Sequence, residues 1–262
     1  MTQNNYSGIL ERIASALEAS RKIFERFTPG EIVAEYKAGL DPVTEADLAV
    51  NALLHKELLH GDEGWLSEES ADDLSRIQKK NVWIVDPLDG TREFVAGIPE
   101  FCISIAYAVD GRNVAGGICN PATNEVFLGA IGSGITYNGK PAHASSQTKL
   151  TGATILASRS ESKRGEWKRF ESANFKVREM GSVAYKLALV AAGLADATFT
   201  LVPKHEWDIA AGAALVESSG GFVRLPDNQP LRCNLQSPLL AGLVAGGPNL
   251  QTELMNLIQA NL

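Results

Sequence analysis

The stretch Trp83-Ile84-Val85-Asp86-Pro87-Leu88-Asp89-Gly90-Thr91 sets two carboxylates three residues apart behind a short apolar run. The run reads as a strand that delivers Asp86 at its end. Pro87 keeps it from continuing as a regular ladder, because proline has no N–H to give. Asp89 then stands at the N-cap of a short helix. Two carboxylates on one tight turn, with the Leu88 carbonyl between them, can reach one hard cation. Magnesium favours such all-oxygen sites and retains waters. Gly90 and Thr91 present backbone N–H groups at a helix start, which suits a phosphate. Asp-Pro-x-Asp-Gly is also good turn chemistry, so taken alone the stretch is equally well read as a capped loop.

Two other acidic sites bear on that choice. Glu68-Glu69 lies in Leu66-Ser67-Glu68-Glu69-Ser70, ahead of the strand, and Trp207-Asp208 opens an alanine-rich helix in the second half. Each has a plain alternative: adjacent glutamates are usually solvated, and Trp-Asp at a helix start can be a cap with an aromatic staple. His55, His60, His143 and His205 share no ligand spacing, so no histidine metal site or nucleophile is expected.

These residues need a scaffold. Apolar positions near a helical period predict helices over 6–27 and 44–60, with Gly61 stopping the second and a loop over 28–42 between them. A short strand is expected over 82–85, and strands over 101–109, 114–119 and 125–130 as an antiparallel meander. Asp110-Gly111 and Asn138-Gly139 are its turn signals. From about residue 145 strand and helix alternate. Strands are expected over 154–158, 176–179, 197–201, 222–225 and 240–245, and helices over 162–172, 183–192, 208–219 and 249–260. The first half therefore reads as α+β and the second as α/β with a largely parallel sheet. Two subdomains, 1–145 and 146–262, are expected to pack with a cleft between them.

Composition limits the partners. A formal net charge of -7 over 262 residues opposes binding a nucleic-acid polymer, which needs clustered Lys and Arg. It does not oppose a small phosphorylated metabolite, because metals can supply local positive charge. No run is long and apolar enough to span a bilayer. The first residues lack a basic flank before an apolar core, so they read as a mature helix and the cytoplasm is the expected compartment. The three cysteines form no close pair and are expected as buried thiols.

Taken together, Glu68-Glu69, Asp86-Pro87-Leu88-Asp89-Gly90-Thr91 and Trp207-Asp208-Ile209-Ala210-Ala211-Gly212, followed by Gly220-Gly221, resemble the signatures of the inositol monophosphatase superfamily. These are lithium-sensitive, magnesium-dependent phosphatases, and the resemblance runs over essentially the whole chain. It implies a layered αβαβα sandwich of the inositol monophosphatase and fructose-1,6-bisphosphatase type, with two or three Mg²⁺ in a cleft. A homodimer is compatible with it. It implies that Glu68, Asp86 and the Leu88 carbonyl hold the first metal and that Asp86, Asp89 and Asp208 hold the second. Glu68 would help a third, and Asp47 and Thr91 would activate the nucleophilic water.

For the substrate, Asp89-Gly90-Thr91-Arg92-Glu93-Phe94 resembles the 3'(2'),5'-bisphosphate nucleotidase branch. That implies hydrolysis of the 3'-phosphate of 3'-phosphoadenosine 5'-phosphate to AMP. Gly90, Thr91, Arg159, Ser182 and Lys186 are then the expected substrate residues. The run 201–206 departs from that branch, and Leu201 stands where animal inositol monophosphatases carry an inositol-binding glutamate. The alternative is an inositol-1-phosphate phosphatase, or a dual inositol monophosphatase and fructose-1,6-bisphosphatase. Plain alternatives stand beside the substrate roles too: an Arg92–Glu93 surface pair, a strand-end turn at 158–160, and a Lys186 that snorkels from its helix.

Overall fold

The computed structural model describes residues 6–36 and 42–262; residues 1–5 and 37–41 of the expected N-terminal start and loop lie outside the described residues. Helices α1 (Ser7–Phe24) and α2 (Glu45–Leu58) pack side by side, with a small antiparallel ladder of β1 (Glu35–Tyr36) and β2 (Pro42–Val43) between them in sequence. They cover one face of a seven-stranded sheet. Its strands are β3 (Gly64–Ser67), β4 (Asn81–Asp89), β5 (Cys102–Val109), β6 (Arg112–Asn120), β7 (Glu125–Ala130), β8 (Gly134–Tyr137) and β9 (Lys140–Ala142), in sequence order across the sheet. Only β3–β4 is parallel. A one-turn helix, α3 (Thr91–Val95), leaves β4.

The second sheet has the order β11-β10-β12-β16-β14, from β10 (Thr154–Ser158), β11 (Lys176–Met180), β12 (Ala197–Thr200), β14 (Phe222–Arg224) and β16 (Leu243–Gly246). Between the sheets lie α5 (Val183–Ala191) and α6 (Glu206–Ser218). On the far side of the second sheet lie α7 (Gln251–Gln259) and a 3₁₀ stretch, Glu166–Ala173. The short α4 (Arg159–Lys163) follows β10, and β13 (Lys204–His205) pairs with β15 (Leu239–Leu240) just before α6. The result is the layered αβαβα sandwich.

Period-two alternation explains why both sheets are buried on both faces. Trp83 and Val85 of β4 pack toward α1 and α2, while Val82 and Ile84 pack toward α5 and α6. In the second sheet Leu156 faces α5 and α6, whereas Ile155 and Ala157 face α7 and the 3₁₀ stretch. Fully burying each valine, leucine or isoleucine among them is worth about 1.5–3 kcal/mol. Helix α6 is apolar nearly all round, as a helix buried between two sheets must be. Its small residues allow contact at backbone distance. A Cβ on Gly116 of β6 would stand 2.4 Å from the Ala211 carbonyl oxygen, so α6 rests directly on the sheet. That contact fixes where the helix begins, and hence where Asp208 sits.

Three expectations need correction. The second sheet is not largely parallel: β10–β11 and β10–β12 are parallel, but β12–β16 and β14–β16 are antiparallel. No helix separates β14 from β16, so the chain returns without a crossover and the pair is antiparallel. The helix expected over 162–172 is two pieces, α4 and the 3₁₀ stretch, divided at Gly165 with φ +81°. The strand expected over 240–245 is divided at Gly242 into β15 and β16. The sequence reading also missed β3, a four-residue strand whose Gly-Trp-Leu-Ser is too short to show alternation. All three cysteines are buried and unpaired, as expected.

Candidate active site

Strand β3 ends at Ser67 and hands Glu68 to the top of the sheet beside the end of β4. There the β4–β5 register slips: Asp86 pairs with Ser104 and Asp89 with Cys102, so three residues of β4 advance against two of β5. Such a bulge bends the strand and re-aims its side chains. Pro87, with no N–H for the ladder, is its sequence signal. The turn is braced by the Leu88 N–H, which donates to Asp86 Oδ1 at 3.0 Å.

From the second half, α6 brings Asp208 to the same place. Its Oδ2 accepts from the His205 N–H at 2.9 Å, which caps the helix. His205 stacks on Trp207 with ring centroids 4.4 Å apart. Carboxylate oxygens of Glu68, Asp86 and Asp208 lie within 4.8 Å of one another. Asp89 stands beside them. Its Oδ2 accepts from Ser182 Oγ and from the Ala184 N–H, both at 2.6 Å.

The electrostatics of this cluster are unfavourable as it stands. Burial pushes Asp86 well above the usual carboxylate range, and the charges of Glu68, Asp89 and Asp208 push it further. Asp208 is raised to about 8 by burial and then by Asp89 and Glu68. Carboxylates crowded in a desolvated place resist ionising together, and a divalent cation inverts that logic. The donor set is all oxygen, which fits Mg²⁺. Glu68, Asp86, Asp89, Asp208 and the Leu88 carbonyl are the residues that could hold it.

Behind the cluster, Thr91 Oγ lies 3.0 Å from the Leu88 carbonyl and 3.1 Å from Asp47 Oδ1. Asp47 is the third residue of α2. Its Oδ2 accepts from the Thr44 N–H at 2.8 Å and from the Thr44 hydroxyl at 2.5 Å. Burial raises its pKa against the opposing hydrogen bonds from Thr44.

The cluster opens into a cleft of about 420 Å³. Every candidate residue read from the sequence lines it except Asp47, which is reached through Thr91. Three of the expected substrate residues are held by partners within the chain. Lys186 does not snorkel: it is buried, its Nζ donates to the carbonyls of Ser182 at 3.0 Å and Gly181 at 3.3 Å, and burial pushes its pKa down to about 8. Arg159, at the start of α4, is engaged by two carboxylates: Nη1 lies 3.2 Å from Glu93 Oε1, and Nη2 is hydrogen-bonded to Glu100. Ser182 directs its hydroxyl to Asp89.

The sequence reading missed the role of Glu93 and Glu100 as partners of Arg159, and it did not single out Arg164 and Lys204 of the cleft wall. No spacing could have paired Arg159 with Glu93 and Glu100, because each of those contacts joins segments far apart in the chain. Among the described residues no helix is long and apolar enough to cross a membrane.

Comparison with known proteins agrees with this geometry. The Inositol monophosphatase family profile matches residues 6–261. Inositol monophosphatase 3 of Solanum lycopersicum is 35% identical over 79% of this chain and 83% of its own length. An inositol-1-monophosphatase of Mesorhizobium japonicum is 33% identical over 95% of each chain. Among solved structures, an IMPase of Thermotoga maritima superimposes with a TM-score of 0.85 at 27% identity, covering 97% of each chain. A match that spans the fold from α1 to α7 and takes in every acidic residue of the cleft settles the kinship: the chain belongs to the inositol monophosphatase family and is a phosphoric monoester hydrolase.

Proposed function

We propose that the protein is a Mg²⁺-dependent phosphatase that removes the 3'-phosphate of 3'-phosphoadenosine 5'-phosphate, leaving AMP. One observation carries the preference for a substrate with a second anionic group. The cleft that holds the carboxylates Glu68, Asp86, Asp89, Glu93 and Asp208 is also lined by Arg92, Arg159, Arg164, Lys186 and Lys204, on a chain whose net charge is -7. Lys186 is the best candidate to meet the second phosphate. Its ammonium has three donors, two of them given to backbone carbonyls, and it sits where water competes poorly.

In this reading Glu68, Asp86, the Leu88 carbonyl, Asp89 and Asp208 hold the metal ions. When bound, Mg²⁺ lowers the pKa of water and stabilises the entering and leaving oxygens of an in-line displacement. The chain's own part is positional. Thr91 orients the attacking water and passes a hydrogen bond to Asp47, whose other oxygen is fixed by Thr44. Gly90 and Thr91 offer backbone N–H groups to the scissile phosphate. The halves 1–145 and 146–262 act as two subdomains, each contributing residues to the cleft lining.

The second reading is an inositol-1-phosphate phosphatase. The names of the relatives favour it. Phosphate release from 3'-phosphoadenosine 5'-phosphate, inositol 1-phosphate and fructose 1,6-bisphosphate, measured with and without Mg²⁺, decides between them. The nucleotide reading requires the highest kcat/KM for the nucleotide. An equal or higher value for inositol 1-phosphate sinks it and installs the second reading.

A further inference from the structure

We infer that Glu100, which lies outside the carboxylate cluster, is a positioning residue for Asp89: it pins the Gly181–Ser182 turn that orients the Asp89 carboxylate, with Arg159 as its latch. The inference rests on the reading of Asp89 as a metal ligand.

One oxygen of Asp89, Oδ2, is held from the start of α5 by the Ser182 hydroxyl and the Ala184 N–H, each at 2.6 Å. The aim of the other oxygen therefore depends on where that turn sits. The turn is not a relaxed one. Ser182 has φ +48° and ψ 118°, a conformation that a residue with a Cβ rarely adopts. Such a conformation is costly and persists only where the surroundings over-determine it.

Those surroundings can be named. Glu100 Oε2 accepts from the Gly181 N–H at 2.7 Å. Lys186 holds the Gly181 and Ser182 carbonyls. The Glu93 side chain packs against Gly181 so closely that a Cβ there would stand 2.3 Å from Glu93 Cδ. Arg159 lies between the two glutamates and bonds both. It holds the Glu100 side chain turned toward Gly181, and charge-assisted hydrogen bonds of this kind are roughly twice as strong as neutral ones.

The contacts also bridge the two sheets. Glu100 precedes β5, whose Cys102 pairs with Asp89. Arg159 follows β10, and Gly181 follows β11. A simple partly exposed ion pair would contribute little and have no direction. This one ends on a backbone N–H of the turn that aims a cluster carboxylate. Partners that orient metal ligands in this way typically affect metal affinity by about 10- to 100-fold when removed.

The test uses the full chain and Mn²⁺ as the probe, titrated calorimetrically, with thermal unfolding in chelator as a second readout. Asp89→Asn should lose or weaken one class of Mn²⁺ site. Glu100→Ala should weaken the same class by about 10- to 100-fold, and Glu100→Gln should recover most of it, because its amide oxygen can still accept from Gly181. If Asp89→Asn binds Mn²⁺ as the unaltered protein does, the ligand reading of Asp89 is wrong. If Asp89→Asn weakens binding but Glu100→Ala does not, the positioning role is wrong, even where Glu100→Ala lowers Tm. Should Glu100→Ala fail to fold, Glu100→Asp shortens the reach to the Gly181 N–H while keeping a carboxylate, and unchanged Mn²⁺ affinity there overturns the inference equally.

Discussion

The two walls of the cleft are built by opposite means. On the acidic wall, Asp86 feels three carboxylates, and among the described residues no cationic side chain braces Asp86, Asp89 or Asp208 directly: one backbone N–H meets Asp86, one meets Asp208, and the Ser182 hydroxyl and Ala184 N–H meet Asp89. On the cationic wall the charges are already answered from within the chain. Arg159 meets Glu93 and Glu100, Arg164 lies 2.6 Å from Glu166, and Lys186 rests on two carbonyls. A wall of like charges at close range is incomplete without a cation from outside, whereas a wall of answered charges is complete and can only be borrowed from. Changes on the acidic wall should therefore act strongly on turnover and metal binding, and changes on the cationic wall should act more weakly, on substrate affinity or, through Glu100, on the Mg²⁺ requirement.

The largest effect is expected at Asp208. Asp208→Asn keeps the volume and an oxygen for the His205 N–H, so the cap and fold should survive. It removes a charge from the cluster. Steady-state kinetics should show kcat reduced by about 10²–10³-fold, the cost of losing one electrostatic stabiliser, with a raised Mg²⁺ requirement. EDTA should abolish turnover of the unaltered enzyme and Mg²⁺ should restore it. Near-normal kcat at ordinary Mg²⁺ would remove Asp208 from the acidic wall.

Next is Thr91→Ala. The hydroxyl bridges the cluster to Asp47 and should matter in the transition state more than in the bound substrate. A fall in kcat of about 100-fold with KM little changed is expected, at the low end for a lost proton-handling group. A raised KM with normal kcat would instead make Thr91 a substrate-binding residue.

Lys186 gives a smaller effect with a sign that pH exposes. Burial lowers its pKa to about 8 from the usual 10.5. The unfolded chain therefore binds more protons between those values, and this lysine's contribution to stability should rise with pH across that window. Its grip on an anion runs the other way, fading above about pH 8. Lys186→Met should raise KM for the bisphosphate nucleotide about tenfold, the worth of one charge-assisted hydrogen bond. It should also remove the alkaline rise in KM seen with the unaltered enzyme. An equal change for inositol 1-phosphate would show that Lys186 does not meet the second phosphate.

The difference between the walls also explains what could be read from the sequence. Asp86, Leu88, Asp89, Gly90 and Thr91 fall in one local string, and Asp208 follows Trp207 at a helix start. Local chemistry and family resemblance found them without knowledge of the fold. The layers were legible for a similar reason, because alternation in β4 and β10 is a short-range pattern. The antiparallel return of β16 and the break at Gly165 were not, since they depend on which strand the chain comes back to and on one backbone angle. The Arg159 network was illegible outright. Glu93 looks in sequence like a neighbour for Arg92, and nothing local says that it and Glu100 reach across to α4.

Arg159 is where the comparison can be sharpened furthest, and where the smallest effect is expected. As a free guanidinium it would suit a second phosphate, which it could grip bidentately. Its donors are instead directed at Glu93 and Glu100, and drawing it onto a substrate would release two partly buried carboxylates beside Asp89. Arg159→Ala should therefore change kcat/KM for 3'-phosphoadenosine 5'-phosphate and for inositol 1-phosphate by the same modest factor, roughly threefold, as for a partly exposed ion pair worth under 1 kcal/mol. The shared loss should come with a higher Mg²⁺ requirement, because Glu100 loses its latch. A loss confined to the bisphosphate nucleotide, with the Mg²⁺ requirement unchanged, would make Arg159 a reader of the second phosphate and would show that the cationic wall is open to substrate.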